Sequence, residues 1–206
     1  MVKYPRYKRP LDLLIVISAH IIPPLPLIWL LIWVIIPVCI WVEDKGPIFY
    51  TQIRIGKDGK LFKIYKFRTM IVNAEQSGPV WASKADPRIT KVGKILRLTA
   101  LDELPQVFNI LKNDMSLVGP RAERPELHEQ FKNKIPDFDQ RLAIKPGLTG
   151  IAQIKGAYDL EPEYKLKYDL EYMSNISFKR DTYIIFKSIL NTIAAKWDKP
   201  TKERTK

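Results

Sequence analysis

The segment Arg97-Leu98-Thr99-Ala100-Leu101-Asp102-Glu103-Leu104-Pro105-Gln106 sets two carboxylates side by side, with a cation before them and a proline after. Its chemistry depends on where the helix containing it begins. With Thr99 as the cap, Asp102 is an ordinary capping-box acid, and Pro105 falls at a helical position that needs a backbone donor. With Leu101 as the cap, the missing N–H of Pro105 belongs to the unpaired set of any helix start. Pro105 therefore favours Asp102 and Glu103 in a first turn, where each gains about 0.3 to 1 kcal/mol from the helix dipole and is expected to stay ionised. An ionised Asp is a competent nucleophile, a helix start beside Arg97 suits phosphate, and two carboxylates with phosphate oxygens make a Mg2+ site. First-turn acids are also plain helix stabilisers, so the local pattern leaves both readings open.

The rest of the chain must position that pair. Lys and Arg number 34 against 22 Asp and Glu, a formal charge of +12. Such a surplus suits nucleic acid, anionic lipid or phosphorylated small substrates. Beside the almost wholly apolar run from Leu11 to Val42, lipid headgroups and a phosphate-bearing substrate are the better match, and no nucleic acid partner is expected. The one cysteine, Cys39, excludes an internal disulfide and paired-cysteine metal sites. The 206 residues suit one catalytic unit with one accessory segment. The composition changes near Glu43, which divides a membrane-embedded part, residues 1–43, from a catalytic domain, residues 44–206.

The apolar run is about twice too long for a signal peptide and lacks a small-residue cleavage site, so it is expected to stay in the mature protein. As one helix it would reach about 48 Å, beyond a hydrocarbon core of about 30 Å. Pro23, Pro24 and Pro26 interrupt it and leave legs of about 13 and about 16 residues, each short for a crossing. Basic residues flank both ends, from Lys3 to Arg9 before it and from Lys45 to Arg68 after it. A re-entrant helix-break-helix satisfies the positive-inside preference at both ends, and a straight span does not. Asp12 at the membrane edge needs a partner, and Arg9 is in helical reach. His20 is expected to bond carbonyls freed at the break.

Beyond the membrane segment, Pro47 to Ile55 and Leu61 to Met70 read as a β-hairpin around Gly56-Lys57-Asp58-Gly59-Lys60. Lys63, Lys66 and Arg68 interleave with its aromatics, as a solvated edge would also have them. Asp86-Pro87 reads as a helix start leading to Arg97, basic and amphipathic. Asn113 to Pro125 reads as a loop, Ile151 to Ile154 as a short strand, and Glu161 to Trp197 as two helices parted near Ser174 to Ser177. The expected fold is α+β and mostly helical, a re-entrant membrane helix hairpin followed by amphipathic helices and a small β-hairpin or sheet.

Several of these stretches occur together in one order: Gly46-Pro47-Ile48-Phe49-Tyr50-Thr51-Gln52-Ile53-Arg54-Ile55-Gly56, Phe62-Lys63-Ile64-Tyr65-Lys66-Phe67-Arg68-Thr69-Met70, Leu101 to Gln106, Asp114-Met115-Ser116-Leu117-Val118-Gly119-Pro120-Arg121, and Lys145-Pro146-Gly147-Leu148-Thr149-Gly150-Ile151-Ala152-Gln153. With the basic-then-apolar start from Lys8 to Asp12, the chain resembles the bacterial sugar transferase family, the monotopic phosphoglycosyl transferases, in its minimal form and as far as about Asp181. The resemblance implies a two-step reaction on the cytoplasmic face of the bacterial inner membrane. Asp102 would attack the sugar-bearing phosphorus of a UDP-sugar and release UMP. Polyprenyl (undecaprenyl) phosphate would then take the phosphosugar from Asp102, with Glu103 binding Mg2+. It further implies that Arg97 and Arg121 contact phosphate and nucleotide, with Pro120 in the same loop. Lys66, Arg68, Gln153 and Asp169 match family positions of less defined role. Membrane lipid is an expected partner, and a homo-oligomer is compatible with the sequence.

Two positions depart from the family pattern. Pro120-Arg121-Ala122 replaces a Pro-Arg-Pro run, and Gly156-Ala157 replaces a Gly-Arg pair, so Lys155 is expected to substitute for the lost cation or phosphate to be held differently. A membrane-tethered binding protein without chemistry is the alternative reading. It would tolerate loss of the Asp102 carboxylate, and the enzyme would not.

Overall fold

The computed structural model describes residues 4–22, 24–74, 86–156 and 160–197. Helices α1 (Lys8–Ile21) and α2 (Leu25–Glu43) open the chain, followed by strands β1 (Phe49–Ile55) and β2 (Leu61–Phe67) and helix α3 (Lys91–Thr99). A 3-10 segment, Leu101–Gln106, runs into the short α4 (Val107–Leu111). Then come β3 (Ser116–Val118), α5 (Pro125–Lys134), β4 (Gly147–Thr149), α6 (Ile151–Lys155), α7 (Pro162–Ser174) and α8 (Phe178–Ile193). The class is α+β and mostly helical, as the sequence predicts.

The break between the first two helices falls at the prolines: Pro24 precedes α2 and Pro26 lies in its first turn, where a missing N–H is harmless. Pro23 lies outside the described residues. The second leg is longer than expected, because Pro26 begins the helix instead of prolonging the break and Pro37 is absorbed within it. At about 1.5 Å per residue α2 reaches about 28 Å. Residues Pro26–Glu43, with a mean hydropathy of 2.2, are long and apolar enough to cross a membrane by length and composition.

Helix α1 is fastened to the rest of the protein. Lys8, Asp12 and Val16, spaced four apart on one face, are buried. The Lys8 ammonium reaches Asp181 Oδ2 at 3.1 Å, the Tyr172 hydroxyl at 2.8 Å and the Val118 carbonyl at 3.0 Å. Asp12 does not pair with Arg9. It accepts the backbone N–H of Leu117 at 3.0 Å, and Arg9 donates to the carbonyls of Ile110 and Leu111 at the end of α4. His20 lies 2.6 Å from the Val16 carbonyl, and its ring stacks on Trp29 of α2 at 5.2 Å.

Strands β1 and β2 pair antiparallel, with Tyr50 opposite Lys66, Gln52 opposite Ile64 and Arg54 opposite Phe62. These six share the inward face, where Phe62 and Ile64 join the main core with Ile110, Met115, Val118 and Tyr172. Lys63, on the opposite face, is the solvated residue that the edge reading predicts, whereas Lys66 is turned inward. Asn109, fully buried, acts as a further strand for β2. Its Oδ1 accepts the Tyr65 N–H at 3.2 Å and its Nδ2 donates to the Lys63 carbonyl at 2.8 Å. Asn109→Ala strands both groups and is expected to cost about 1 to 3 kcal/mol, read as a lowered thermal midpoint with the helical signal otherwise unchanged.

Two expected elements are displaced. Helix α3 starts at Lys91, with Thr90 accepting the Gly93 N–H at 2.9 Å, and not at Pro87. The Asp86 carboxylate instead grips Arg88, at 2.9 Å from both its N–H and its Nε, and Ile89 bridges to Met70, which holds the chain extended up to Thr90. The short strand is Gly147–Thr149, parallel to Ser116–Val118, and Ile151–Lys155 is helical. A four-residue apolar run does not distinguish strand from helix by its pattern. The close crossing at Gly119 and Gly147, where an added Cβ would strike the neighbouring backbone, decides it here. Helices α7 and α8 part at residues 175–177, as expected.

Candidate active site

Helix α3 ends at Ala100, whose left-handed backbone (φ 54°, ψ 19°) reverses the chain into the 3-10 segment. An alanine holds that conformation at a cost of about 1 to 2 kcal/mol. Asp102 and Glu103 therefore do occupy a first turn, with Ala100 in place of Leu101 as the capping residue.

Both carboxylates are buried, yet their surroundings differ. Glu103 Oε1 lies 2.6 Å from Lys66 Nζ of β2 and 2.6 Å from Arg121 Nη2, and Arg121 Nη1 closes on Oε2 at 3.3 Å. Asp102 Oδ2 stands 3.9 Å from Lys66. Burial opposes the Glu103 charge, but Arg121 and Lys66 outweigh it and hold the carboxyl well below its usual range. For Asp102 burial prevails, aided by the Glu103 charge, and raises the carboxyl above its usual range against the pull of Lys66, Arg97 and Arg121. Neighbouring acids driven apart by environment are a common arrangement where one acts and the other holds charge.

The remaining predicted residues divide. Arg97, at the end of α3, is anchored through Nε to Thr69 Oγ1 at 3.0 Å. Arg97, Lys66, Arg121, Asp102 and Glu103 line one cavity of about 1130 Å3, to which Arg68 and Gln153 also contribute. The Arg68 guanidinium is held by Asp44, at 3.0 Å from Oδ2 and through the Asp44 carbonyl, and so ties the β-hairpin to the end of α2. Gln153 donates to the Leu148 carbonyl at 2.9 Å. Pro120 acts through its backbone, its carbonyl accepting the Gly147 N–H at 2.8 Å. Asp169 lies off the cavity lining and takes Arg141, at 2.9 Å from Nε and 2.7 Å from Nη2; burial still pushes the Asp169 carboxyl up to about 6. Lys155 pairs with Glu171 at 3.3 Å on the surface, which does not support a role in place of the missing arginine; Ala157 lies outside the described residues.

A buried ionic cluster that the sequence reading missed supports this floor. Arg141 also donates to the Arg121 carbonyl at 3.0 Å and approaches Glu123 at 3.6 Å, and Glu123 takes Lys165 at 3.3 Å. No local pattern marks these residues, because their partners come from three separate stretches of chain. The same cavity is also lined by apolar side chains, among them Ile15, Val16 and Trp29 from the first two helices and Ile185, Ile189 and Ile193 from α8.

Among the described residues no three acidic, His or Cys side chains converge, so a metal ion here would rest on one or two carboxylates. That is the donor set of Mg2+, which completes its shell with phosphate and water. The adjacent Asp102 and Glu103 on a cavity wall fit it.

Residues 4–195 match the family model described as bacterial sugar transferase. The chain is 43% identical over 155 residues to the UDP-N-acetylgalactosamine-undecaprenyl-phosphate N-acetylgalactosaminephosphotransferase of Aeromonas hydrophila, covering 74% of this chain and 37% of that protein. It is 42% identical over 163 residues to a UDP-glucose:undecaprenyl-phosphate glucose-1-phosphate transferase of Klebsiella pneumoniae, covering 77% and 35%. An exopolysaccharide production protein of Rhizobium leguminosarum bv. phaseoli is 37% identical over 161 residues, covering 74% and 80%. The chain thus spans about a third of the length of the first two relatives and most of the third.

Proposed function

Because the chain belongs to the bacterial sugar transferase family, we propose that it moves a sugar 1-phosphate from a UDP-sugar to polyprenyl phosphate and releases UMP, through a covalent phosphosugar on Asp102. One observation carries the reading. The cavity holds a carboxylate pair in which Lys66 and Arg121 neutralise Glu103 at close range, while among the described residues Asp102 has only the 3.9 Å approach of Lys66, and apolar residues of the first two helices line the same cavity.

In the first step an Asp102 oxygen bonds to the β-phosphorus, the bond from that phosphorus to the bridging oxygen breaks, and its electron pair leaves with UMP. In the second, a phosphate oxygen of the acceptor attacks the same phosphorus and the Asp102 carboxylate is regenerated. Splitting one transfer into two displacements lowers the barrier of each. Little covalent work falls to the protein otherwise, so its cations position and neutralise phosphoryl oxygens. Lys66, Arg97 and Arg121 surround Asp102 for that purpose. Glu103, with Asp102 beside it, would hold Mg2+, which when bound offsets negative charge on the diphosphate.

The first two helices form a re-entrant hairpin on the cytoplasmic face in this reading. Both its ends are fastened to the same body: Lys8 to Asp181 of α8, and Glu43 to the start of α3, where its two oxygens accept the N–H groups of Lys91 and Val92 at 2.6 and 2.8 Å. A straight span would separate those ends by the membrane thickness.

Purified protein given polyprenyl phosphate and a panel of UDP-sugars is expected to release UMP with at least one of them, to stop when EDTA removes divalent ions, and to resume with Mg2+. Release of UDP would indicate a glycosyl transfer and overturn the reading.

A further inference from the structure

We propose that Arg54, with Arg121 and Arg124 beside it, forms an anion subsite that receives the α-phosphate of the departing UMP. The inference rests on the phosphosugar-transfer reading and supplies a leaving-group contact that reading lacks.

Arg54 sits on the inward face of β1 and lines the cavity. The acids around it are already matched: Glu103 by Lys66 and Arg121, Glu123 by Lys165 and Arg141, and Asp169 by Arg141. The Arg54 guanidinium meets only neutral acceptors among the described residues. Its Nη1 donates to the Ala122 carbonyl at 3.2 Å and its Nη2 to Gln52 Oε1 at 2.8 Å, while Nε is buried with no partner. Burial, then the charges of Arg121 and Arg124, lower its pKa, and Glu123 and Glu103 only partly restore it. A half-buried guanidinium with its Nε fully buried, crowded by like charges and with no carboxylate partner among the described residues, is costly to keep. An incoming anion relieves that cost, and a planar fork suits phosphate oxygens.

Position selects which anion. The β-phosphorus must reach Asp102, beside Lys66. Along β1 the inward side chains run from Tyr50, opposite Lys66, through Gln52 to Arg54, with about 7 Å between successive ones. Arg121 stands between, its side chain on Glu103 and its neighbour Ala122 bonded to Arg54. A diphosphate extending from Asp102 past Arg121 brings its second phosphate towards Arg54. The lipid chain of the acceptor belongs with the apolar residues that line the same cavity. As the bond from the β-phosphorus to the bridging oxygen breaks, negative charge grows on the α-phosphate, where a preset cation lowers the barrier most.

The test is equilibrium binding of UMP and of uridine to the full chain in detergent, for the native protein, Arg54→Gln and Arg54→Lys. Loss of a charge-assisted contact is expected to weaken UMP about 10- to 100-fold in Arg54→Gln, with uridine unchanged and partial recovery in Arg54→Lys. UMP affinity within twofold of native in both variants overturns the subsite. So does equal weakening of UMP and uridine, which would mean a contact to the base. If Arg54→Gln does not fold, Arg54→Lys carries the comparison, since it keeps the charge and loses the fork. Binding needs no turnover, so a native protein that releases no UMP would defeat the catalytic reading and leave the subsite to be judged on its own.

Discussion

Asp102→Asn is expected to abolish both UMP release and lipid-linked product, a fall on the order of 10^4-fold or more, as when other enzymes lose their nucleophile. The amide is nearly isosteric and cannot form the phosphosugar adduct. Misfolding is not a competing explanation, because the structure predicts the opposite effect on stability. Burial raises the Asp102 carboxyl above its usual range, so the folded protein holds that proton more tightly than the unfolded chain. The ionised carboxylate therefore costs stability at neutral pH, and the cost disappears as pH falls through the raised value. Asparagine removes it, so the variant should melt no lower than the native protein at pH 7.5. A variant that melts normally and still releases UMP at a tenth of the native rate or faster would refute the covalent step.

Lys8→Ala is expected to be the most damaging single change away from the carboxylate pair. Lys8 and Asp181 are each 1% exposed. Asp181 also accepts the hydroxyls of Tyr7 at 2.9 Å and Tyr172 at 2.6 Å. Removing the ammonium leaves a buried carboxylate with only neutral donors, which typically costs about 3 to 5 kcal/mol. For a chain of this size that is a drop of roughly 6 to 20 °C in thermal midpoint. The penalty comes from the stranded charge more than from the net worth of the pair, so Lys8→Met combined with Asp181→Asn should recover much of it. Because Lys8 also holds α1 against the Val118 carbonyl, protease should gain access to the first helix in the single variant. A midpoint within 2 °C of native would show that α1 does not depend on this contact.

Local terms made much of the chain legible. Proline chemistry located the break before α2, two-residue alternation around a Gly-Lys-Asp-Gly turn located the β-hairpin, and Pro105 put the acid pair in a first turn. Where two local signals compete, neighbours along the chain do not decide between them. Asp86 and Thr90 are both good caps, and only the pairing of Ile89 with Met70 selects Thr90. Helix α5 follows a stretch that reads as a loop up to Pro125, and Pro125 with Glu126 is an ordinary helix start that the loop reading does not use. The strand Gly147–Thr149 is three residues long and exists only through a parallel partner far away in sequence.

The sequence by itself determined which residues are present to do chemistry, because helix starts, turns and alternation are set by neighbours within a few positions. Which cation meets which acid was decided by the tertiary structure. Arg68 faces Asp44, Asp169 is linked to the site through Arg141 and the Arg121 carbonyl, and Arg54 has no carboxylate partner among the described residues. Coulomb energy depends on distance and burial, and neither is encoded in spacing along the chain. The unequal environments of Asp102 and Glu103, adjacent in sequence, exist only once β2 brings Lys66 and the loop after β3 brings Arg121 to one of them.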